Sequence, residues 1–147
     1  MHLSELVFIL HTVTHVEDII RNIIPFAYIK PITLEIMKSK IKKDEFDNMN
    51  DGYGSIEQWD TSQITDMSNL FLNKFNFNRD ISNWDVSNVT DMTKMFYCCY
   101  NFNQNLDNWN TSNVEYMNSM FKSCDNFNQS LNNWDFSKVN LPLNLYN

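Results

Sequence analysis

Glycine is scarce in this chain, with 2 residues in 147, and so are proline and cysteine, with 3 each. Repeats that bind calcium use Gly-rich loops, so this composition argues against that class. The cysteines Cys98, Cys99 and Cys124 lack CxxC spacing and have no paired histidine, so a nucleophilic thiol has no support. So few cysteines agree with a reducing compartment, where we expect Cys99 and Cys124 to be reduced and buried.

Basic patches and long apolar runs are also missing. The net charge is −7, and acidic residues are in excess in both 1–58 and 59–147. Binding to nucleic acid or to an anionic membrane surface is therefore disfavoured, because neither part can neutralise phosphates. The apolar run 6–10 is too short for a signal peptide, and nothing approaches transmembrane length. We expect an intracellular protein that does not insert into membranes.

What the sequence does contain is an internal repeat. Its tryptophans fall at a strict period of 25 residues: Trp59, Trp84, Trp109 and Trp134. They mark three repeats and a partial fourth: 59–83, 84–108, 109–133 and 134–147. Self-similarity at such a period indicates units that stack on one another and bury a continuous core. The chain is thus divided into 1–50 and a repeat region, 51–147.

Each repeat carries two apolar groups. Ile64, Met67, Leu70 and Phe71 are spaced i, i+3, i+6, i+7, which predicts one face of a short helix. Preceding serines are suitable N-caps: Ser62, Ser87 and Ser112. The alternation from Phe77 to Ile81 predicts a short strand, and a bulge or turn should follow at three asparagines: Asn83, Asn108 and Asn133. The fold class predicted is an α/β solenoid of helix-turn-strand repeats.

Two further asparagine columns recur in all three repeats: Asn76, Asn101, Asn126 and Asn78, Asn103, Asn128. Asparagine tolerates left-handed backbone and bonds its own backbone in tight turns. We expect these side chains to form turns and to satisfy amide groups from one repeat to the next. A polar ligand ladder is the alternative.

The pattern WDVSNVTDM-x2-MF-x2-C-x2-FNQ-x-L-x2-W, with the run YGSIEQW at 53–59, resembles the BspA-like leucine-rich repeat family of the 25-residue type. That family occurs in bacterial surface proteins, protists and large DNA viruses. The resemblance implies a short leucine-rich-repeat-like solenoid that acts in protein binding or adhesion, and it brings no catalytic residues. One departure stands in the first repeat, where Lys74 replaces the cysteine found at Cys99 and Cys124.

Residues 1–50 differ from the repeats. Apolar residues recur at helical spacing over 3–23, and a third helix is predicted from about Thr33 to Phe46. One interpretation is a helical cap that covers the open end of the first repeat, which stacked repeats require. The other is an F-box-like segment, because residues 3–26 resemble that pattern apart from Ser4 in place of its proline. Such a segment would recruit a Skp-type partner.

Candidate chemistry is sparse. His11 and His15 have the spacing of a two-histidine metal site but lack a third ligand, so a packed or solvated pair is favoured. Recurring carboxylates could suggest calcium, but helix-start charge and turn capping explain them better: Asp60, Asp85, Asp135, Asp66 and Asp91. We therefore predict no catalytic residue, no metal site and no cofactor.

The expected function is non-enzymatic protein–protein interaction or scaffolding through an unknown protein partner. Columns that vary between repeats on the predicted strand are free to recognise that partner, and their outward members form the candidate binding strip: Asp80, Ser82, Asn105, Asp107, Ser130 and Asn132. Arg79, Gln104 and Gln129 should lie at its buried edge. The alternatives are an F-box-like substrate adaptor, an inactive fragment of a longer repeat protein, or a merely solvated surface.

Overall fold

The computed structural model describes residues 32–47 and 52–146. Within these ranges the regular elements are one α-helix, α1 (Leu34–Lys42), and a single 3₁₀ turn, Ile56–Gln58. No helix of this part of the chain is long and apolar enough to cross a membrane. The helices predicted over 3–23, His11, His15 and the F-box-like segment 3–26 lie outside the described residues.

Helix α1 is the third helix predicted from the sequence, and it is shorter than expected. Its start is fixed by Thr33, whose hydroxyl accepts a hydrogen bond from the N–H of Ile36 at 3.4 Å. It ends at Lys42, because Asp44 adopts a left-handed conformation with φ 57° that a helix cannot continue through. The helix buries Met37 and Ile41 against the repeats.

The repeats do not have the predicted architecture: the α/β solenoid of helix-turn-strand units is wrong. From 59 to 146 no described residue lies in a helix or in a strand longer than an isolated bridge. Parallel bridges join Asp66 to Asp91 and Asp91 to Tyr116. Each repeat is instead a coil of tight turns, and we number the coils one to three for 59–83, 84–108 and 109–133.

Alternating hydrogen bonds explain why the predicted helix does not form. In coil one the N–H of Leu70 bonds the Met67 carbonyl of the same coil, whereas the N–H of Phe71 bonds Met95 of coil two at 2.9 Å. The next residues repeat this alternation. Left-handed residues four apart, Asn69 (φ 57°) and Asn73 (φ 62°), interrupt any continuous right-handed helix. Apolar spacing of three and four residues fits these turns as well as it fits a helix.

The predicted strand from Phe77 to Ile81 is absent because side chains replace its backbone partners. The N–H of Asn103 bonds the side-chain oxygen of Asn78 at 2.9 Å, and the N–H of Asn128 bonds that of Asn103 at 3.1 Å. This confirms that asparagines satisfy amides from one repeat to the next. The turns predicted near Asn83, Asn108 and Asn133 are present. The left-handed positions, however, lie in other columns: Asn69, Lys94, Ser119 and Asn73, Cys98, Ser123.

Two columns of phenylalanine form the centre of the core. Phe96 lies between Phe71 and Phe121, with ring centroids 5.5 and 5.6 Å away and nearly parallel planes. Within coil two, Phe102 stacks on Phe96 at 4.1 Å. Both Phe96 and Phe102 are fully buried, as are the methionines of the core: Met67, Met92, Met95, Met117 and Met120.

Three tryptophans hydrogen-bond to carbonyls 28 residues earlier in the chain. The indole N–H of Trp84 donates to the carbonyl of Ile56 at 2.8 Å, and that of Trp109 donates to Ile81 at 3.2 Å. Trp134 repeats the bond with Leu106 at 2.8 Å. Each indole is buried, so this bond satisfies its one polar atom. Tryptophan therefore recurs every 25 residues both because its ring is buried and because its indole N–H makes this hydrogen bond.

We predict that Phe96→Ala lowers the free energy of unfolding by about 3–5 kcal/mol, because it leaves a cavity between two stacked rings. Urea denaturation followed by tryptophan fluorescence measures the loss. Phe75→Ala is the matched control: that ring is 49% exposed, so its removal should cost no more than about 1.5 kcal/mol, the value of one aromatic pair. If Phe96→Ala and the wild type unfold at the same urea concentration, Phe96 is not part of the core.

Candidate functional site

The described residues were compared first with the chemistry of a metal centre. They hold no group of three histidine, cysteine or acidic side chains placed to bind a metal ion. The three histidines of the sequence all precede residue 32, and so lie outside the described residues.

The recurring carboxylates cap turns. The side chain of Asp60 accepts the N–H of Ser62 at 3.1 Å, and Asp85 accepts that of Ser87 at 2.9 Å. Asp135 does the same with Ser137 at 2.8 Å. The second acidic column behaves alike, since Asp66 and Asp91 accept N–H groups two residues later at 2.7 Å. Each carboxylate caps its own turn, which confirms the predicted turn capping. The predicted role in helix-start charge is wrong, because no helix begins at these residues.

Equivalent stretches of the three coils are joined by hydrogen bonds, and their exposed and half-buried residues form what we call the lateral face: 75–82, 100–107 and 125–132. Its asparagines are hydrogen-bonded across the coils, with Asn101 donating to Asn76 at 3.0 Å and Asn126 donating to Asn101 at 3.3 Å. Because these bonds run from coil to coil, they hold the surface in a fixed register.

The candidate binding strip lies on this face, but its geometry differs from the prediction. There is no strand, so the members of each pair do not point outward together. Asp80, Asn105 and Ser130 are exposed, and each accepts the N–H of the residue two places later. Those later residues differ, since Ser82 and Asp107 are half-buried and only Asn132 is exposed.

Local bonds also occupy part of the strip. The Ser82 hydroxyl donates to Asp80 at 2.6 Å, and this bond, with the Ser82 N–H, lowers the pKa of Asp80. Asp107 accepts from the side chain of Asn133 at 2.6 Å. The strip is thus a row of turns whose exposed acceptors are partly used within the molecule.

The residues expected at the buried edge of the strip are half-buried. Gln104 and Gln129 donate to the asparagine ladder, at 2.9 Å from Asn78 and from Asn103 respectively. Arg79 instead contacts the segment around α1, with its guanidinium 2.7 Å from Asp47 and 2.6 Å from Glu57.

Sequence reasoning missed the aromatic border of the lateral face. Phe75 and Tyr100 are 49% and 41% exposed and stack on each other at 5.2 Å with an interplanar angle of 8°. Leu72, at 37% exposure, belongs to the same coil. The available signal was a pair of aromatic residues at one repeat position outside both apolar groups. Asp125 occupies that position in the third repeat, so the sequence pattern did not identify the position as apolar.

A cleft of about 550 Å³ lies beside Phe75, between coil one and the segment that follows α1. Its wall includes Asp44, Phe46, Lys74 and Arg79. Lys74, the departure from the cysteine column, reaches 2.7 Å from Asp44 across this boundary. Lys74 and Arg79 are therefore coil-one residues whose charges contact the preceding segment rather than another coil.

Cys99 and Cys124 are buried, as predicted. Cys99 and Cys124 are free thiols within the stack, donating to the carbonyls of Phe71 at 3.1 Å and Phe96 at 2.8 Å. Burial raises the pKa of Cys99 well above its ordinary value and raises that of Cys124 to about 12. Neither thiol is a nucleophile at neutral pH.

Comparison with known proteins identifies a family. Residues 40–145 match the family model described as Mycoplasma protein of unknown function, DUF285. The chain belongs to this family. No curated protein and no solved structure matches the chain. The DUF285 match begins in the last turn of α1, spans all three coils and ends at 145 in the partial fourth repeat, and so includes the lateral face.

For this DUF285 chain we predict that a bulky thiol reagent modifies Cys98 under native conditions while Cys99 and Cys124 react only as the stack opens. Cys98 is half-buried and provides the internal control. Mass spectrometry of labelled peptides over time distinguishes the three sites. Labelling of Cys99 or Cys124 as fast as Cys98 would contradict their burial.

A second prediction concerns the Arg79 ion pairs. The hydrogen bond from Arg79 lowers the pKa of Asp47 below its ordinary 3.8. A carboxylate whose folded pKa is lowered stabilises the fold fully above its unfolded pKa, and this contribution is lost as pH falls through the folded value. Arg79→Gln, which installs the residue of the other two coils, should therefore be less stable than wild type at neutral pH. That difference should narrow below pH 3.8.

Urea denaturation at a series of pH values measures this difference. Asp47→Asn is the control, because in that background the contribution of Asp47 to the pH dependence is removed. A difference between Arg79→Gln and wild type that stays constant as pH falls well below 3.8 would exclude Asp47 as the group responsible.

Proposed function

We propose that this DUF285 protein is a non-enzymatic protein-interaction module that binds a protein partner on its lateral face. The observation that carries the proposal is the exposed Phe75–Tyr100 pair, held in register by the stack beside a cleft. Rigid aromatic side chains bury much area at little entropic cost, and they are enriched among the residues that dominate binding energy. The resemblance to BspA-like repeats supports the same class of function.

The layout of the face supports a protein partner. A typical interface has an apolar centre and a polar rim. Here Phe75 and Tyr100 would supply the apolar part. The asparagine ladder and the strip from Asp80 to Asn132 would supply the polar part.

Charge favours a basic partner segment. The lateral face carries one cation, Arg79, and three carboxylates: Asp80, Asp107 and Asp125. Arg79 is already paired with Asp47 and Glu57. The remaining negative charge would attract lysine or arginine on a partner and would repel nucleic acid. Three free cysteines, two of them buried, support a reducing intracellular compartment for this interaction.

We predict that replacing both Phe75 and Tyr100 with Ser weakens partner binding by more than about tenfold, because truncating a hot-spot residue costs at least about 2 kcal/mol. The partner is first captured from lysate with the full chain, and its affinity is then measured with purified proteins. Tyr116→Ser is the matched control, since Tyr116 is 45% exposed but lies outside the lateral face.

A second variant tests the polar part of the face. Replacing Asn105, Asp107, Ser130 and Asn132 together with Lys reverses its charge. Because Asn105, Asp107 and Ser130 accept hydrogen bonds within the molecule, urea denaturation must first show that the variant is folded. We expect this variant to lose a basic partner. If the aromatic and the lysine variants both bind as wild type does, the lateral face is not the site. If no partner is captured, the proposed function fails.

A further inference from the structure

Three stretches that lie side by side in the stack contain lysine but no acidic residue. The backbone ladder joins these equivalent parts of the three coils: 68–74, 93–99 and 118–124. Each of them contains one lysine: Lys74, Lys94 and Lys122. The whole chain has 18 acidic residues and a net charge of −7, so the fold sets this surface apart from the acidic remainder of the molecule.

Helix α1 adds two lysines to this surface. Lys38 and Lys42, together with Lys74, line a cleft of about 380 Å³ between the helix and coil one. The Lys74 ammonium lies 3.5 Å from the backbone carbonyl of Lys42, so the end of α1 is held against the coil. Leu70 and Leu72 also line the cleft, and Leu72 is 37% exposed. Three cationic side chains thus surround a partly apolar depression.

Tyr97 continues the surface across coils two and three. The ammonium groups of Lys94 and Lys122 lie 6.0 and 5.9 Å from the centre of its ring, within the range at which a cation is attracted to an aromatic face. The N–H of Asn73 donates to the Tyr97 carbonyl at 2.9 Å, which joins this group to the stretch that ends at Lys74. We call the five lysines the lysine face: Lys38, Lys42, Lys74, Lys94 and Lys122.

The positive charge of the lysine face is only partly compensated. Lys38 lies 3.7 Å from Asp66, and Lys74 lies 2.7 Å from Asp44. The other three lysines form no ion pair with a described residue: Lys42, Lys94 and Lys122. Clustered charges of one sign raise the local concentration of oppositely charged ligands and speed their association. The face is therefore suited to an anionic ligand, although the chain as a whole is acidic.

We propose that the lysine face binds a short acidic segment of a protein partner. Carboxylates border the face, because Asp66 and Asp91 form a bridge two residues before the first and second stretches. A nucleic acid or an anionic membrane carries its charge over a larger area and would also meet these carboxylates, whereas a short segment need not. The face has no arginine, the side chain best suited to bidentate contact with phosphate. The proposal is independent of the proposed function, since the lysine face and the lateral face share no residue.

Fluorescence anisotropy of a labelled polyglutamate peptide, titrated with the full chain, tests the proposal. We expect binding that weakens as salt is added, and no binding of a polyglutamine peptide of the same length. Lys94→Glu should raise the dissociation constant at least about threefold, because it replaces an exposed attraction with a repulsion. Lys138→Glu is the matched control. It makes the same change in net charge, but Lys138 lies outside the lysine face and donates to Asn113 at 2.7 Å.

Failure of the polyglutamate peptide to bind would overturn the proposal, and so would equal affinity of the two variants for it. Tighter binding of single-stranded DNA, or of vesicles of phosphatidylserine and phosphatidylcholine in equal amounts, would identify a phosphate-bearing ligand and overturn it as well. Oligomers of the full chain that Lys94→Glu dissociates would make a second copy the occupant, with the same consequence. If urea denaturation shows that Lys94→Glu is unfolded, Lys122→Gln replaces it and should also weaken binding of the peptide.

Discussion

The hydrogen bonds between successive coils are the constraint on which the rest of the structure depends. Alternate N–H groups of 67–73 reach carbonyls of 91–97, and those of 92–98 reach 116–122. This ladder fixes each coil at 25 residues, because any other length would shift every partner. Once the register is fixed, phenylalanine lies on phenylalanine, indole N–H groups meet carbonyls 28 residues earlier, and asparagine amides meet asparagine oxygens. The repeated columns are therefore consequences of one backbone arrangement.

The departures from the repeat are as informative as the repeat itself. Coil one has Lys74 and Arg79 where later coils have cysteine and glutamine. In coils two and three those side chains bond to the preceding coil, Cys99 to the Phe71 carbonyl and Gln104 to Asn78. Coil one has no preceding coil, and long cationic side chains there reach the acidic residues after α1. Position in the stack, rather than chance variation, explains both substitutions.

The sequence is sufficient to predict what is buried, but it does not identify the backbone path. Period and column identity correctly place Phe71, Phe96 and Phe121 inside, together with the core methionines and Cys99. Turn capping by carboxylates follows from residue type. The helix fails because a spacing of three and four residues is shared by tight turns, and because the left-handed positions carry Asn, Lys, Ser or Cys rather than glycine. The strand prediction is wrong because backbone N–H groups of the following coil bond to the side-chain oxygens of Asn78 and Asn103 instead of to backbone carbonyls. For the candidate site, the predicted positions Asp80 and Asn105 are exposed in the structure. Phe75 and Tyr100 were not predicted, because residue type alone does not show whether an aromatic side chain is exposed.

The lack of helices and strands in the described coils has a practical consequence for spectroscopy. Far-ultraviolet circular dichroism reports mainly regular helices and strands, so the coils should contribute little to it. A weak contribution from the coils would resemble that of an unfolded chain although their core is buried. The buried indoles report the opposite, because Trp59 and Trp84 lie 6.0 Å apart and Trp109 and Trp134 lie 6.3 Å apart, each pair stacked in a fixed orientation. Near-ultraviolet signals and tryptophan emission are thus the appropriate measures of whether this chain is folded.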